Sequence, residues 1–156
     1  SLDIDEQIIP VRDEVHNAKL YVEILQLRYE EKLKVLWEVE RNVLDCPIVK
    51  VSLQPLIENA VYHGIKPLRR QGIIHIRAYQ RDSGLVVEVE DNGVGMSREA
   101  VGRLNEDMNE KYVLKEEHIG IRNVNQRIRL LLGDEARIEV QSREGVGTKV
   151  TLCLPT

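Results

Sequence analysis

Residues 85–96 read LVVEVEDNGVGM. The apolar, β-branched run predicts a strand that ends abruptly in Asp91-Asn92-Gly93-Val94-Gly95. Asn-Gly is the strongest short-range hairpin signal, and a hairpin requires a second strand at once. The next residues, however, are Met96-Ser97-Arg98-Glu99-Ala100-Val101-Gly102-Arg103-Leu104. Ser97 is a good N-cap, Glu99 is an acid in the first turn, and Val101 and Leu104 sit three apart. That pattern predicts a helix. The glycines therefore lie between a strand and a helix, where open sheets commonly bind ligands.

Upstream, GIIHIRAY (72–79) predicts a second strand, separated from the first by the turn Gln80-Arg81-Asp82-Ser83-Gly84. VKVSLQPLIENAVYH (49–63) predicts a helix stopped by Gly64, with Pro67 beyond. Leu33 to Val39 alternates as a strand. Residues 11–31 predict a long helix whose Val11, Val15, Ala18, Val22, Leu25 and Tyr29 form a heptad-like seam. Leu20, Ile24 and Leu27 add a second stripe, so this helix packs on its own sheet alone or also meets a partner. Downstream, NEDMNEKYVLKEEH (105–118) is charged, lacks sustained periodicity and predicts a mobile loop. IRNVNQRIRLLL (121–132) predicts a helix stopped by Gly133, with Ile121, Val124, Ile128 and Leu131 on one face. ARIEVQS (136–142) and TKVTLCL (148–154) predict two strands flanking Glu144-Gly145-Val146-Gly147. Helices with antiparallel, hairpin-linked strands indicate an α+β fold in two layers.

At 156 residues the chain suits one domain. With one Trp, five Tyr and no Phe, its core must be aliphatic. A net charge of −4 argues against a general grip on nucleic acid. Cys46 and Cys153 read as reduced, small core or near-core residues. No apolar run reaches membrane-spanning length and no signal peptide opens the chain, which begins at Ser1 and reads as a fragment of something longer.

Three glycine-bearing segments are candidate ligand contacts: Asp91–Gly95, Gly120-Ile121-Arg122-Asn123, and Gly145-Val146-Gly147-Thr148. The second opens a helix, whose N-terminus presents unpaired N–H groups to phosphate. Arg122 is unfavourable there on dipole grounds; a bound phosphate would repair this, and a solvated arginine is the alternative. Asn59 is a poor mid-helix residue on a face of apolar neighbours. Its carbonyl oxygen would suit Mg²⁺, while backbone bonding is the plainer reading. His16, His63, His75 and His118 have no paired metal spacing. His75 reads as an outward strand residue, and His63 as a helix-end residue able to approach phosphates.

Taken in order, LIENAVYHG resembles the N box, DNGVGM the first glycine box, HIGIRNVNQRI the second and EGVGTKVTLCLP the third of the GHKL ATPase superfamily. With the leader PVRDEVHNAKLYVEILQLRYEEKL, the chain is similar to the catalytic domain of YesM/LytS-type sensor histidine kinases. The resemblance implies a Bergerat-type α/β sandwich: a mixed sheet, helices on one face and a flexible lid (97–119) over ATP. It implies that residues 1–32 lead from a dimerisation and phosphoacceptor region and that 33–156 form the ATP-binding domain. By position, Asp91 would accept a hydrogen bond from the adenine amino group, and Gly93 and Gly95 would let the backbone approach the base. Asn59 would bind Mg²⁺, and Thr148 beside Gly145 and Gly147 would reach the adenine. Gly120, Ile121, Arg122 and Asn123 would face the phosphates.

The chain departs from the family pattern in three places. His118 stands where the second box usually opens with Gly. Tyr62 stands where a Lys often follows the N-box Asn, leaving His63 as the adjacent substitute. Pro55 stands where hydrolysing relatives such as gyrase and MutL carry a water-activating Glu, and neighbouring Glu58 is expected on another side of the helix. The family's acceptor histidine lies in a motif rich in Pro, Phe and Asn, which His16 does not have. The resemblance implies γ-phosphoryl transfer from Mg-ATP to a histidine outside this chain, then to a response-regulator aspartate. It further implies a homodimeric, membrane-anchored full-length sensor with this domain in the cytoplasm. An anti-sigma-type serine kinase and a degenerate nucleotide-sensing or scaffolding module are the competing readings.

Overall fold

The computed structural model describes residues 4–109 and 118–156. A short helix α1 (Ile4–Gln7) and strand β1 (Ile8–Pro10) lead into α2 (Val11–Tyr29). Strand β2 (Leu33–Val39) comes next, then β3 (Pro47–Val49) and helix α3 (Leu53–Asn59), which continues as a π-helical turn over Ala60–Ile65. The hairpin β4 (Gly72–Arg81) and β5 (Gly84–Asp91) precedes α4 (Arg98–Asn109), α5 (Ile119–Leu132), β6 (Arg137–Arg143) and β7 (Gly147–Pro155).

The main sheet has the order β2-β4-β5-β7-β6, with β2 parallel to β4 and the other pairs antiparallel. The mixed α+β sandwich expected from the sequence is thus present. Alternation places Ile74, Ile76 and Ala78 of β4, Leu85, Val87 and Val89 of β5, and Val150, Leu152 and Leu154 of β7 on one face. There they join Leu56 and Ile57 of α3 and Ile121, Val124 and Ile128 of α5 in one aliphatic core. The seam of α2 joins the same core through Val11, Val15, Ala18 and Val22, whereas Leu20, Ile24 and Leu27 are exposed.

The other sheet face carries an ion network. Arg77 reaches Glu90 at 3.0 Å and Glu88 at 3.4 Å, and His75 meets Glu38 at 2.8 Å and Arg77 at 2.7 Å. His75 is therefore the outward strand residue anticipated. Both cysteines are free thiols.

Two elements differ from the sequence expectation. Residues 47–49 pair with β1 as a strand, and the helix starts only at Leu53. Tertiary pairing overrides the local helical pattern there. Gly64 does not stop that helix, which passes through it to Ile65, with Lys66 N donating to Val61 O at 2.8 Å. Farther on, residues 105–109 are the last turn of α4, anchored by buried Leu104 and Met108, and not loop. The remainder of the expected mobile segment, 110–117, lies outside the described residues.

Candidate functional site

Strand β5 delivers Asp91 to the helix side of the sheet, opposite Ile74 of β4 and Thr148 of β7. Its carboxylate is 6% exposed, and Oδ1 accepts the Gly93 N–H at 2.8 Å. Burial pushes the acid up from 3.8 to about 6, against the pull of the Gly93 and Thr148 N–H groups. A carboxylate has about four lone-pair positions, so acceptor capacity remains for a ligand amino group. Asn92 serves the scaffold instead: its Oδ1 accepts the Ile73 N–H at 2.7 Å, extending the β4–β5 ladder.

The glycines act on the chain itself. A Cβ at Gly93 would stand 2.4 Å from the Gly64 backbone, and one at Gly95 (φ 72°) 2.1 Å from Arg143 O. A Cβ at Gly147 would stand 2.0 Å from Asp91 O. The resemblance assigned Gly93 and Gly95 to backbone approach to a base; in the structure the approach they permit is between segments of this chain. Gly64 is the counterpart that sequence reasoning missed, because a Cβ there would lie 2.7 Å from Asp91 Oδ1. The π turn carries Gly64 past Asp91 at a distance no other residue allows. Ser142 was missed as well. Its hydroxyl bonds Thr148 Oγ1 (2.7 Å) and Gly147 O (3.0 Å) and accepts the Met96 N–H (2.8 Å), tying together the two glycine-bearing turns. Ser142 had no local sequence signal, and Gly64 had one only for a helix end.

Asn59 and His63 line a cleft of about 300 Å³ with Pro55, Glu58, Tyr62, His118, Ile119 and Gly120. Here the N-box helix meets the start of α5. His118 Nδ1 lies 3.1 Å from Asn59 Oδ1, and its ring stacks at a tilt on His63, 4.7 Å between centroids. The plainer reading of Asn59, bonded to local backbone, is not what the structure shows. His118 holds φ 58°, a left-handed conformation that favours glycine and explains the family's preference for Gly there. No side-chain cap closes the N-terminus of α5, so its first N–H groups face this end of the molecule. Ile121 is core and can offer only its backbone, and Asn123 is exposed. Arg122 is 2% exposed, which overturns the solvated alternative.

Pro55 lies within the cleft and cannot itself act as a base. Glu58 also borders it, contrary to the expectation that it turns elsewhere, and its carboxylate lies beside the phenol of Tyr21. Burial and Glu58 push that phenol up to about 12. Lys66 stands over the Tyr62 ring at 4.9 Å, bringing a cation close to the position of the missing lysine. Among the described residues no His, Cys, Asp and Glu cluster could hold a metal ion. The carbonyl oxygen of Asn59 nevertheless fits Mg²⁺, which takes few protein oxygens and completes its shell with water and phosphate.

Residues 48–156 match the family model of histidine kinase-, DNA gyrase B- and HSP90-like ATPases. The chain is 30% identical to the sensor histidine kinase YesM of Bacillus subtilis over 155 residues, 99% of this chain and 25% of that protein. It is 30% identical to the sensor histidine kinase YpdA of Escherichia coli over 151 residues, 97% of this chain and 25% of that protein. It thus spans about a quarter of the length of these relatives. Among solved structures, the catalytic domain of histidine kinase ThkA superposes with a TM-score of 0.67 at 15% identity, covering 95% of this chain and 94% of that one. The blue-light-activated histidine kinase of Erythrobacter litoralis gives 0.66 at 21% identity, over 94% and 42%.

The chain belongs to the histidine kinase-, DNA gyrase B- and HSP90-like ATPase family. Residues 48–156 are an ATPase domain of this family, and the fold is the one seen in histidine kinase catalytic domains.

Proposed function

We propose that this domain binds Mg-ATP and transfers its γ-phosphoryl to a histidine outside these residues, for relay to a response-regulator aspartate. In this reading residues 1–32 lead from a dimerisation and phosphoacceptor region, and 33–156 are the catalytic domain of a homodimeric, membrane-anchored sensor, facing the cytoplasm. Among the described residues no helix is long and apolar enough to cross a membrane.

The observation that carries the reading is Asp91, a buried carboxylate at a strand end, pressed against the helix that bears Asn59. Asp91 accepts the adenine amino group, with Gly93 and Gly95 shaping the turn beside it and Thr148 alongside. Gly145 and Gly147 let the third glycine-bearing turn close over Asp91. Asn59 supplies an oxygen to Mg²⁺, which neutralises phosphate charge when bound. Gly120, Ile121, Arg122 and Asn123 meet the phosphates at the start of α5, and His63 stands beside them. Catalysis then rests on positioning and charge neutralisation, as phosphoryl transfer requires.

Thermal denaturation tests the nucleotide site. Mg-ATP at about a hundred times its dissociation constant stabilises a folded protein by roughly 2.7 kcal/mol, several degrees in melting temperature for a domain of this size. Asp91→Asn presents a donor where the adenine also donates, so most of the shift should vanish. An undiminished shift in that variant removes Asp91 from the base pocket.

A further inference from the structure

We propose that Glu14 is a positioning residue of the nucleotide site, through which α2 sets the two helices that wall it. The inference rests on the reading that Asn59 and the start of α5 engage Mg-ATP.

Helix α3 begins without a side-chain cap of its own; Ser52, in the cap position, donates its hydroxyl to Val49 O instead. The cap comes from a different helix. Glu14, 3% exposed on α2, accepts the N–H groups of Val51 (2.9 Å, Oε1), Ser52 (2.8 Å, Oε2) and Leu53 (2.9 Å, Oε2). Three successive N–H groups converging on one anion form a nest, here filled by the chain's own carboxylate. To make it, Val51 adopts φ 60°, a conformation a β-branched residue avoids.

The same segment is gripped from its carbonyl side by α5. Arg127 donates to Lys50 O and, at 3.2 Å, to Val51 O. Residues 50–52 therefore join three helices: α2 through Glu14, α3 by continuity to Asn59, and α5, whose first turn borders the cleft. Tyr21 of α2 also lies beside Glu58 of α3. A local Ser or Asp cap would exist whenever α3 formed; this one exists only while α2 is docked. Removing the carboxylate lets Val51 relax, and both walls of the cleft shift. Small misplacements of this kind cost phosphoryl transfer steeply.

Glu14→Gln keeps the shape but turns an NH₂ toward backbone donors. In the 156-residue chain, calorimetric titration with Mg-ATP should show the dissociation constant raised at least tenfold. Adding Val51→Gly should restore it to within threefold, because glycine holds the left-handed conformation without the clamp. Val51→Gly alone should leave binding unchanged. A lowered melting temperature with unchanged affinity overturns the proposal, and so does a loss that Val51→Gly fails to repair. Should Glu14→Gln not fold, Arg127→Gln releases the segment from its other side and should weaken binding at least threefold; unchanged affinity again overturns the proposal.

If Asp91→Asn binds ATP as well as the unaltered chain, or the unaltered chain binds none, the reading of the nucleotide site falls. The clamp is then judged without nucleotide. Glu14→Gln should speed amide exchange at Arg122 and Val124 at least tenfold while leaving Val150 and Leu152 of β7 unchanged. Equal rates at both places overturn it.

Discussion

Asp91 carries two demands that oppose each other: burial disfavours its charge, and the adenine amino group proposed to meet it needs that charge. The acid sits at about 6 in the folded chain against an ordinary 3.8. Because the folded value is raised, ionisation opposes folding. The cost is absent below about pH 4, grows between there and 6, and amounts to about 3 kcal/mol above it. As far as Asp91 is concerned, the free chain gains stability as pH falls through this window. Adenine binding runs the other way and should weaken as pH drops below 6, since protonation removes the charge-assisted acceptor. Titration calorimetry with adenosine from pH 5 to 8 checks this, and a flat profile would place the amino group elsewhere.

His118 gives a second prediction at the same scale. Its left-handed backbone costs about 1–2 kcal/mol for a residue with a Cβ, and its ring occupies the Asn59 oxygen proposed for the metal. His118→Gly relieves both. Mg-ATP affinity should rise about fivefold, one net hydrogen bond of about 1 kcal/mol, while adenosine affinity stays constant. Weaker Mg-ATP binding in this variant would show that the imidazole itself holds the nucleotide.

Among the elements, α4 shows what a sequence can and cannot disclose. Its start was legible, since Ser97 caps it as anticipated, Oγ accepting the Ala100 N–H at 3.2 Å. Its end was not. Asn105, Glu106, Asp107 and Asn109 are weak helix formers or charged, and the apolar positions that continue the helix are only Leu104 and Met108. Those two side chains bury against the body of the domain, and that packing outweighs propensity. Leu104→Ala should therefore cost about 2–5 kcal/mol, read as a lower midpoint in urea denaturation. Glu106→Ala, at an exposed position of the same helix, should change it by less than about 0.5 kcal/mol. Equal small effects would mean that α4 is loosely held. The start of α3 departs from its local pattern for a related reason: the Glu14 clamp and the β1–β3 pairing involve residues nearly forty positions apart. No local window contains both partners.

In the whole molecule, the boxes that resemblance could locate were the ones proposed to present a group to a ligand: Asn59, Asp91, the start of α5, Thr148. Gly64, Ser142 and Glu14 hold these groups in place through long-range contacts, and such contacts leave no periodicity or spacing to read. What the described residues lack is equally physical. Pro55 occupies the cleft position at which hydrolysing relatives place a base, and Glu58 lies beside the phenol of Tyr21. His16 lies exposed on α2, facing solvent on a plain amphipathic helix. The 156-residue chain alone should therefore neither turn over ATP appreciably nor label itself. With a dimerisation domain bearing the acceptor histidine supplied in trans, label from γ-phosphate should appear on that partner. A phosphoramidate is acid-labile and base-stable, so brief acid treatment should strip the label and alkali should not. Stable label on His16, or brisk hydrolysis surviving Glu58→Ala, would contradict this assignment of roles. Tight nucleotide binding with no transfer to any supplied domain would leave a nucleotide-sensing module, in which the His118–Asn59 contact serves to report occupancy.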